Sequence, residues 1–180
     1  DLRFLVSLGV RALKLASTDI VNGPLLDAAA DSGLPLILSR GAAEYDEISA
    51  AVERFRAGGG RSLALMHCVS SYPAPEYEAN LAAIHTLAES FDCVAGFSDH
   101  TESITIGGYA AAAGARIIEK HITLSRSRCG PDHSFSLDPP QMAEYIRNIR
   151  RTELLLGGGR VTVSPSEREV RELSRASVVA

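Results

Sequence analysis

Five short apolar runs begin near residues 11, 35, 62, 93 and 115, with a helical pattern between each pair. This alternation limits the fold more than any other feature, because strands separated by helices pair in parallel. The predicted strands cover 11–16, 35–39, 62–67, 93–98 and 115–121. The predicted helices cover 1–8, 23–32, 44–57, 77–90, 106–114 and 139–156. Gly9 ends the first helix and Gly58-Gly59-Gly60 breaks the third. Pro139 opens the last helix, where a helix start tolerates proline. A long loop over 122–138 precedes it.

Five parallel strands fit either an open flavodoxin-like sheet or part of an eight-stranded barrel. Side-chain alternation decides between them. Leu13 and Leu15 share one face of the first strand and Lys14 takes the other. Leu36 and Leu38 oppose Ile37 and Ser39; Ala95 and Phe97 oppose Gly96, Ser98 and His100. Arg116, Ile118 and Lys120 oppose Ile117, Glu119 and His121. An open doubly wound sheet is dry on both faces and its central strands read as apolar runs. Here one face turns polar toward each strand end, as the lumen of a barrel does. The predicted fold is α/β, the C-terminal five βα units of a TIM (β/α)8 barrel, with the first three strands missing.

The inward set is Lys14, Ser39, Ser98, His100, Glu119 and His121, with Ser17 just past the first strand. A lone histidine at a strand end more often bonds a nearby carbonyl. Two at matched positions on adjacent strands, joined by a short alanine-rich helix, point to a metal site. Two imidazoles and a carboxylate suit a divalent ion such as Mn²⁺ with positions left open for substrate oxygen. A lysine among hydroxyls suits an anion bearing phosphate or carboxylate. From pattern alone Lys14 is equally a surface residue with an outward side chain. In the loop Cys129-Gly130-Pro131-Asp132-His133-Ser134, Asp132 is placed to meet a sugar hydroxyl, to reach the metal as the lesser alternative, or to make a local turn bond. Ser70-Ser71-Tyr72-Pro73, beyond the third strand, either lines the same mouth or is solvated.

Composition narrows the class. The 180 residues suffice for one well-buried domain, and 46% hydrophobic with 22% charged residues suits an ordinary globule. A net charge of −4 argues against a general nucleic-acid binder. No apolar run approaches the ~20 residues of a membrane span. Cys68, Cys93 and Cys129 lack the spacing of a zinc ribbon or disulfide framework, so a reducing, cytoplasmic setting is expected.

The chain resembles the sialic acid synthases, the N-acetylneuraminate synthases and their relatives for legionaminic, pseudaminic and spore-coat sugars. The resemblance rests on Leu13-Lys14-Leu15-Ala16-Ser17, Ile37-Leu38-Ser39-Arg40-Gly41 and Met66-His67-Cys68 running through Ser70, Tyr72 and Pro75. It continues in Gly96-Phe97-Ser98-Asp99-His100-Thr101, Ile118-Glu119-Lys120-His121-Ile122-Thr123 and Gly130-Pro131-Asp132-His133. It implies a (β/α)8 barrel that condenses phosphoenolpyruvate with an N-acylated hexosamine such as N-acetylmannosamine, releasing phosphate. By the same resemblance His100 and His121 hold Mn²⁺ or Mg²⁺, and Lys14, Ser17, Ser39 and Ser98 bind phosphoenolpyruvate. Ser70, Tyr72 and Asp132 face the sugar, with Glu119 and Asp132 as the candidate catalytic groups.

Residues 1–156 are then a partial barrel domain, and 157–180 a tail leading toward an absent antifreeze-like domain that supplies an arginine to a partner subunit. A homodimer is implied for the full-length protein, and the chain alone is expected to be inactive and to self-associate through its open sheet edges. Arg40 departs from the family pattern, where a small hydroxyl residue is more usual. Other readings are a synthase acting on a different acylated hexosamine, a metal-dependent barrel aldolase, and a non-catalytic barrel module that binds an anion or sugar.

Overall fold

The computed structural model describes residues 2–175. Asp1, assigned above to the first helix, and residues 176–180 of the tail lie outside the described residues. In chain order the elements are α1 (Leu2–Ser7), β1 (Leu13–Leu15), α2 (Gly23–Asp31), β2 (Leu36–Ser39), α3 (Tyr45–Ala57) and β3 (Leu63–His67). There follow α4 (Ala82–Phe91), β4 (Val94–Asp99), α5 (Ile106–Ala112), β5 (Ile117–Lys120), α6 (Pro139–Leu156) and α7 (Arg168–Ser174).

The five strands form one parallel sheet in the order β1-β2-β3-β4-β5. A doubly wound sheet reverses its strand order at a switch point; this one does not. Every crossover therefore advances the same way and the helices collect on one face. Leu13, Leu15, Leu36, Leu38, Leu65 and Phe97 point at those helices. They form one core with Leu26 and Ala29 of α2, Val52 and Phe55 of α3, Ile84 and Leu87 of α4, Ile106 of α5 and Tyr145 of α6.

The opposite face is concave. Lys14 Nζ on β1 and Glu119 Oε2 on β5 lie 3.4 Å apart, although β1 and β5 are four strand steps from each other. In a flat sheet that is roughly 19 Å, beyond what the two side chains span. The sheet is curled into a half-barrel, with its lumen on the face that carries Lys14, Ser39, Ser98 and Glu119.

Local chemistry explains the element ends. Asp138 caps α6, its side chain accepting from Gln141 N at 2.9 Å while Gln141 answers on Asp138 N at 3.1 Å, with Pro139 at the first helical position. Glu44 and Glu47 make the same reciprocal pair at the start of α3. The helix expected over 77–90 begins later. Asn80 takes a left-handed backbone (φ 41°), so Glu76–Glu78 is a single 3₁₀ turn and α4 starts only at Ala82. The tail, given no element above, holds a turn at Pro165–Glu167 and the seven-residue α7. Among the described residues no helix is long and apolar enough to cross a membrane.

Gly96 is the tightest point of the lumen wall. A Cβ there would lie 2.4 Å from Met66 Sδ and 2.7 Å from the Ile117 carbonyl oxygen of the neighbouring strand. The thioether can move but the strand backbone cannot. Gly96→Ala is expected to lower stability by about 1–3 kcal/mol in urea denaturation, and an unchanged midpoint would contradict this packing.

Candidate functional site at the mouth of the half-barrel

The strands alternate, so residues one step beyond paired positions face the same way. Ser98 pairs with Glu119 and Asp99 with Lys120 across β4 and β5. His100 and His121 follow directly, both on the lumen side. Their ring centroids are 5.7 Å apart and nearly perpendicular. The Tyr72 ring packs 4.2 Å from His100 and 6.1 Å from His121. Phe135 closes the other side, 5.2 Å from His121 and 5.6 Å from Tyr72. The loop bearing Phe135 and Asp132 is tied to the end of β5, because Leu137 N–H donates to the His121 carbonyl at 3.1 Å and Thr123 N–H to that of Leu137 at 2.9 Å. Asp132 Oδ2 thereby comes within 3.7 Å of His121 Nδ1.

The hydrogen bonds fix the state of His100. Its Nδ1 lies 2.7 Å from the Val69 carbonyl oxygen, which can only accept, so Nδ1 carries the hydrogen. Burial pushes this imidazole below its ordinary pKa, against the pull of that carbonyl. The ring is therefore neutral at pH 7 and its Nε2 bears a lone pair. Ser98 Oγ sits 3.2 Å from Nε2, but its single hydrogen goes to Glu119 Oε1 at 2.6 Å. The Nε2 lone pair is thus left without a donor, and a backbone carbonyl behind the ring is the usual support of a metal-ligating imidazole. Among the described residues no three His, Cys, Asp or Glu side chains gather closely enough to hold a metal by themselves. The donors present fit a cation held by two imidazoles, with its remaining positions open to substrate or water.

Toward β1 the lumen changes character. Glu119 touches both Ser98 and Lys14. Burial works to raise its carboxyl, but the Ser98 hydroxyl and the Lys14 ammonium outweigh it and hold the group below the usual carboxylate range. Among the described residues the buried Ser39 hydroxyl on the concave face has no hydrogen-bond partner, and such a group calls for a ligand or water atom to satisfy it. Past β2 the chain turns through Gly41 at φ 49°, and a Cβ there would meet Ser17 Oγ at 2.4 Å and Ser70 Oγ at 2.7 Å. Only glycine lets these two hydroxyls close on the same backbone. Lys14 and the Ser17 and Ser39 hydroxyls bring a cation and several donors to this end of the concave face, chemistry that suits phosphate or carboxylate.

Every site residue expected from the sequence lies on this concave face or at its rim. Sequence reading missed others. Asp99 and Lys120 form an ion pair of 2.9 Å on the outer wall; opposite charges at the same alternation phase of adjacent apolar strands were the available signal. Cys68 lies beside the site with its thiol pushed up by burial, so it stays protonated and is no nucleophile. Arg40 does not change the pocket: its Nε donates to His67 Nδ1 at 3.1 Å, and His67 Nε2 donates to the Ala79 carbonyl at 2.8 Å.

The Glu119 contacts give a pH signature. A carboxylate held low in the folded state adds stability above its unfolded pKa, and that stability is lost as pH falls through the folded value. Ser98→Ala removes the hydroxyl donor, so the Glu119 titration followed by NMR in metal-free protein should move up. The variant's stability deficit should be larger at neutral pH than in acid. An unmoved titration would contradict the Ser98–Glu119 bond.

The NeuB family matches residues 1–161. An N,N'-diacetyllegionaminic acid synthase of Legionella pneumophila is 41% identical over 179 residues, 97% of this chain and 50% of that protein. An N-acetylneuraminate-9-phosphate synthase of Drosophila melanogaster is 41% identical over 155 residues, covering 86% of this chain and 42% of that one. The crystal structure of an N-acetylneuraminic acid synthetase from Leptospira borgpetersenii, in complex with citrate, superposes with a TM-score of 0.89 at 45% identity, covering 96% of this chain and 60% of that one. The chain spans about half the length of the curated relatives it matches. A family match over nearly the whole chain, and relatives that are synthases of nonulosonic acids, lead to one conclusion: this chain belongs to the NeuB family.

Proposed function

We propose that this half-barrel carries the cation-binding and phosphoenolpyruvate-binding wall of a nonulosonic acid synthase. The enzyme joins phosphoenolpyruvate to an N-acylated hexosamine of the N-acetylmannosamine type and releases phosphate. The five strands then correspond to the last five of a closed (β/α)8 barrel, three further strands completing the lumen. The observation that supports this most is the meeting, on one concave face, of the His100–His121 imidazoles with Lys14 and the Ser17 and Ser39 hydroxyls. Glu119 is the bridge between them.

The chemistry needs both halves. Carbon 3 of an enol phosphate is a weak nucleophile and adds only to an activated carbonyl. His100, through Nε2, and His121 would hold a divalent cation, Mn²⁺ or Mg²⁺, which would supply that activation as a Lewis acid. Lys14 and the Ser17 and Ser39 hydroxyls hold the phosphate and carboxylate so that carbon 3 faces the aldehyde carbon. Ser98, its hydrogen given to Glu119, reaches the substrate only if that bond is exchanged. As the carbon–carbon bond forms, positive charge develops at carbon 2, close to the ionised Glu119. Water adds at carbon 2, and we assign Glu119 to take its proton and pass it to the oxygen that becomes the new hydroxyl. The carbon–oxygen bond to phosphate then breaks as the hydroxyl on carbon 2 gives its proton to the departing phosphate, leaving the 2-keto acid. Tyr72, Ser70 and Asp132, at the rim, are assigned to the sugar.

Calorimetry on this chain tests the reading. Mn²⁺ is expected to bind at one equivalent, and His100→Ala with His121→Ala should abolish binding while far-UV circular dichroism is unchanged. Lys14→Met should weaken phosphoenolpyruvate binding by roughly 10–100-fold, as loss of a charge-assisted hydrogen bond of about 1.5–3 kcal/mol requires. Unchanged Mn²⁺ affinity in the double alanine variant would defeat the synthase assignment.

A further inference from the structure

We infer that Asp99, Lys120 and Tyr145, which never enter the lumen, are positioning residues that set the separation of the His100 and His121 rings. The inference rests on the cation reading above and extends it to the far side of the barrel wall.

Each imidazole is preceded in sequence by one member of a buried ion pair, Asp99 before His100 and Lys120 before His121. Lys120 Nζ lies 2.9 Å from Asp99 Oδ2, with side-chain exposures of 4% and 0%. The pair is saturated with partners. Tyr145 Oη donates to Asp99 Oδ2 at 2.9 Å, Thr101 N–H donates to Asp99 Oδ1 at 2.8 Å, and Lys120 Nζ donates to the Thr101 carbonyl at 2.5 Å. The ammonium also sits 5.5 Å above the Tyr145 ring. Gly107 of α5 admits that ring, since a Cβ there would lie 2.4 Å from it. One cluster thus joins the ends of β4 and β5, the turn after β4, and helix α6.

Register is what this cluster can specify. Asp99 and Lys120 are cross-strand partners, so holding them side by side holds the next residues, His100 and His121, side by side as well. A one-residue slip would turn His121 to the outer wall. Apolar packing guards weakly against such a slip here, because β5 is only four residues long and none of them is fully buried. A buried ion pair adds little net stability over apolar side chains of the same size, and its best-attested use is to fix register. On the front of the wall the rings are held by ring packing and by the Val69 carbonyl; the lateral distance between the two strands is set from behind.

The test replaces the pair by apolar side chains, Asp99→Leu with Lys120→Met, in the full 180-residue chain. Two readouts are taken: Mn²⁺ affinity by electron paramagnetic resonance titration, and the NMR cross-relaxation between the His100 and His121 rings without metal. The variant is expected to fold but to unfold at a lower midpoint, because Tyr145 Oη and Thr101 N–H lose their acceptor. It is also expected to bind Mn²⁺ roughly 10–100-fold more weakly and to lose the ring-to-ring signal. Unchanged affinity with the ring signal retained overturns the inference. If the original chain binds no Mn²⁺, the cation reading fails, while loss of the ring signal in the variant still upholds the positioning role and its persistence still overturns it. Should the double variant fail to fold, Tyr145→Phe removes one hydrogen bond and keeps the aromatic packing. It is then expected to weaken Mn²⁺ binding and the ring signal in part, and no change in either would overturn the inference. Lys120→Arg keeps the charge and should retain both signals; their loss would contradict the ion pair as the operative contact.

Discussion

The site depends first on the curl of a five-stranded sheet. Lys14 and Glu119 sit on strands four steps apart, yet their charged ends are 3.4 Å from each other. Without that curvature Lys14 and Ser39 of β1 and β2 and the imidazole pair beyond β4 and β5 would be on separate surfaces. The curl has its source in the alternation of the strands. Leucines on the outer face bury against the helices, which leaves small or polar residues, among them Ser39, Gly96 and Ser98, to line the concave side. Gly96 matters because nothing larger fits between Met66 and the backbone of β5.

Glu119 gives the two halves of the lumen a shared charge balance. It takes the only hydrogen of Ser98, so the Nε2 lone pair of His100 stays free. It also meets the Lys14 ammonium, so a second anion entering the pocket would compete for that lysine. Glu119 keeps the Ser98 hydrogen bond in that exchange and stays an ionised carboxylate on the concave face.

Much of this was legible in the sequence, and the reason is periodicity. The parallel pairing follows from the alternation of strands with helices, the outer leucine face and the inward polar set from period two, and the start of α6 at Pro139 from local chemistry. What was not legible depends on long-range geometry or on a single backbone angle. The left-handed Asn80 that delays α4 leaves no compositional trace. The orphaned Ser39 hydroxyl and the approach of Ser17 and Ser70 to Gly41 arise only when three strand ends converge. Asp99 and Lys120 stood on the outer face in plain view, but two charges there gain meaning only once Tyr145 of α6, far along the chain, is seen to reach Asp99. Arg40 likewise proved to serve His67 rather than the pocket.

The central claim is that the His100 and His121 imidazoles face one cation-sized gap at the mouth of the curled sheet. Anomalous scattering from a crystal of this chain grown with Mn²⁺ tests it most directly. The account requires a single strong peak within coordination distance of His100 Nε2 and of the His121 ring, with Asp132 beside it. A peak elsewhere on the surface, or rings turned apart with no metal between them, would contradict it.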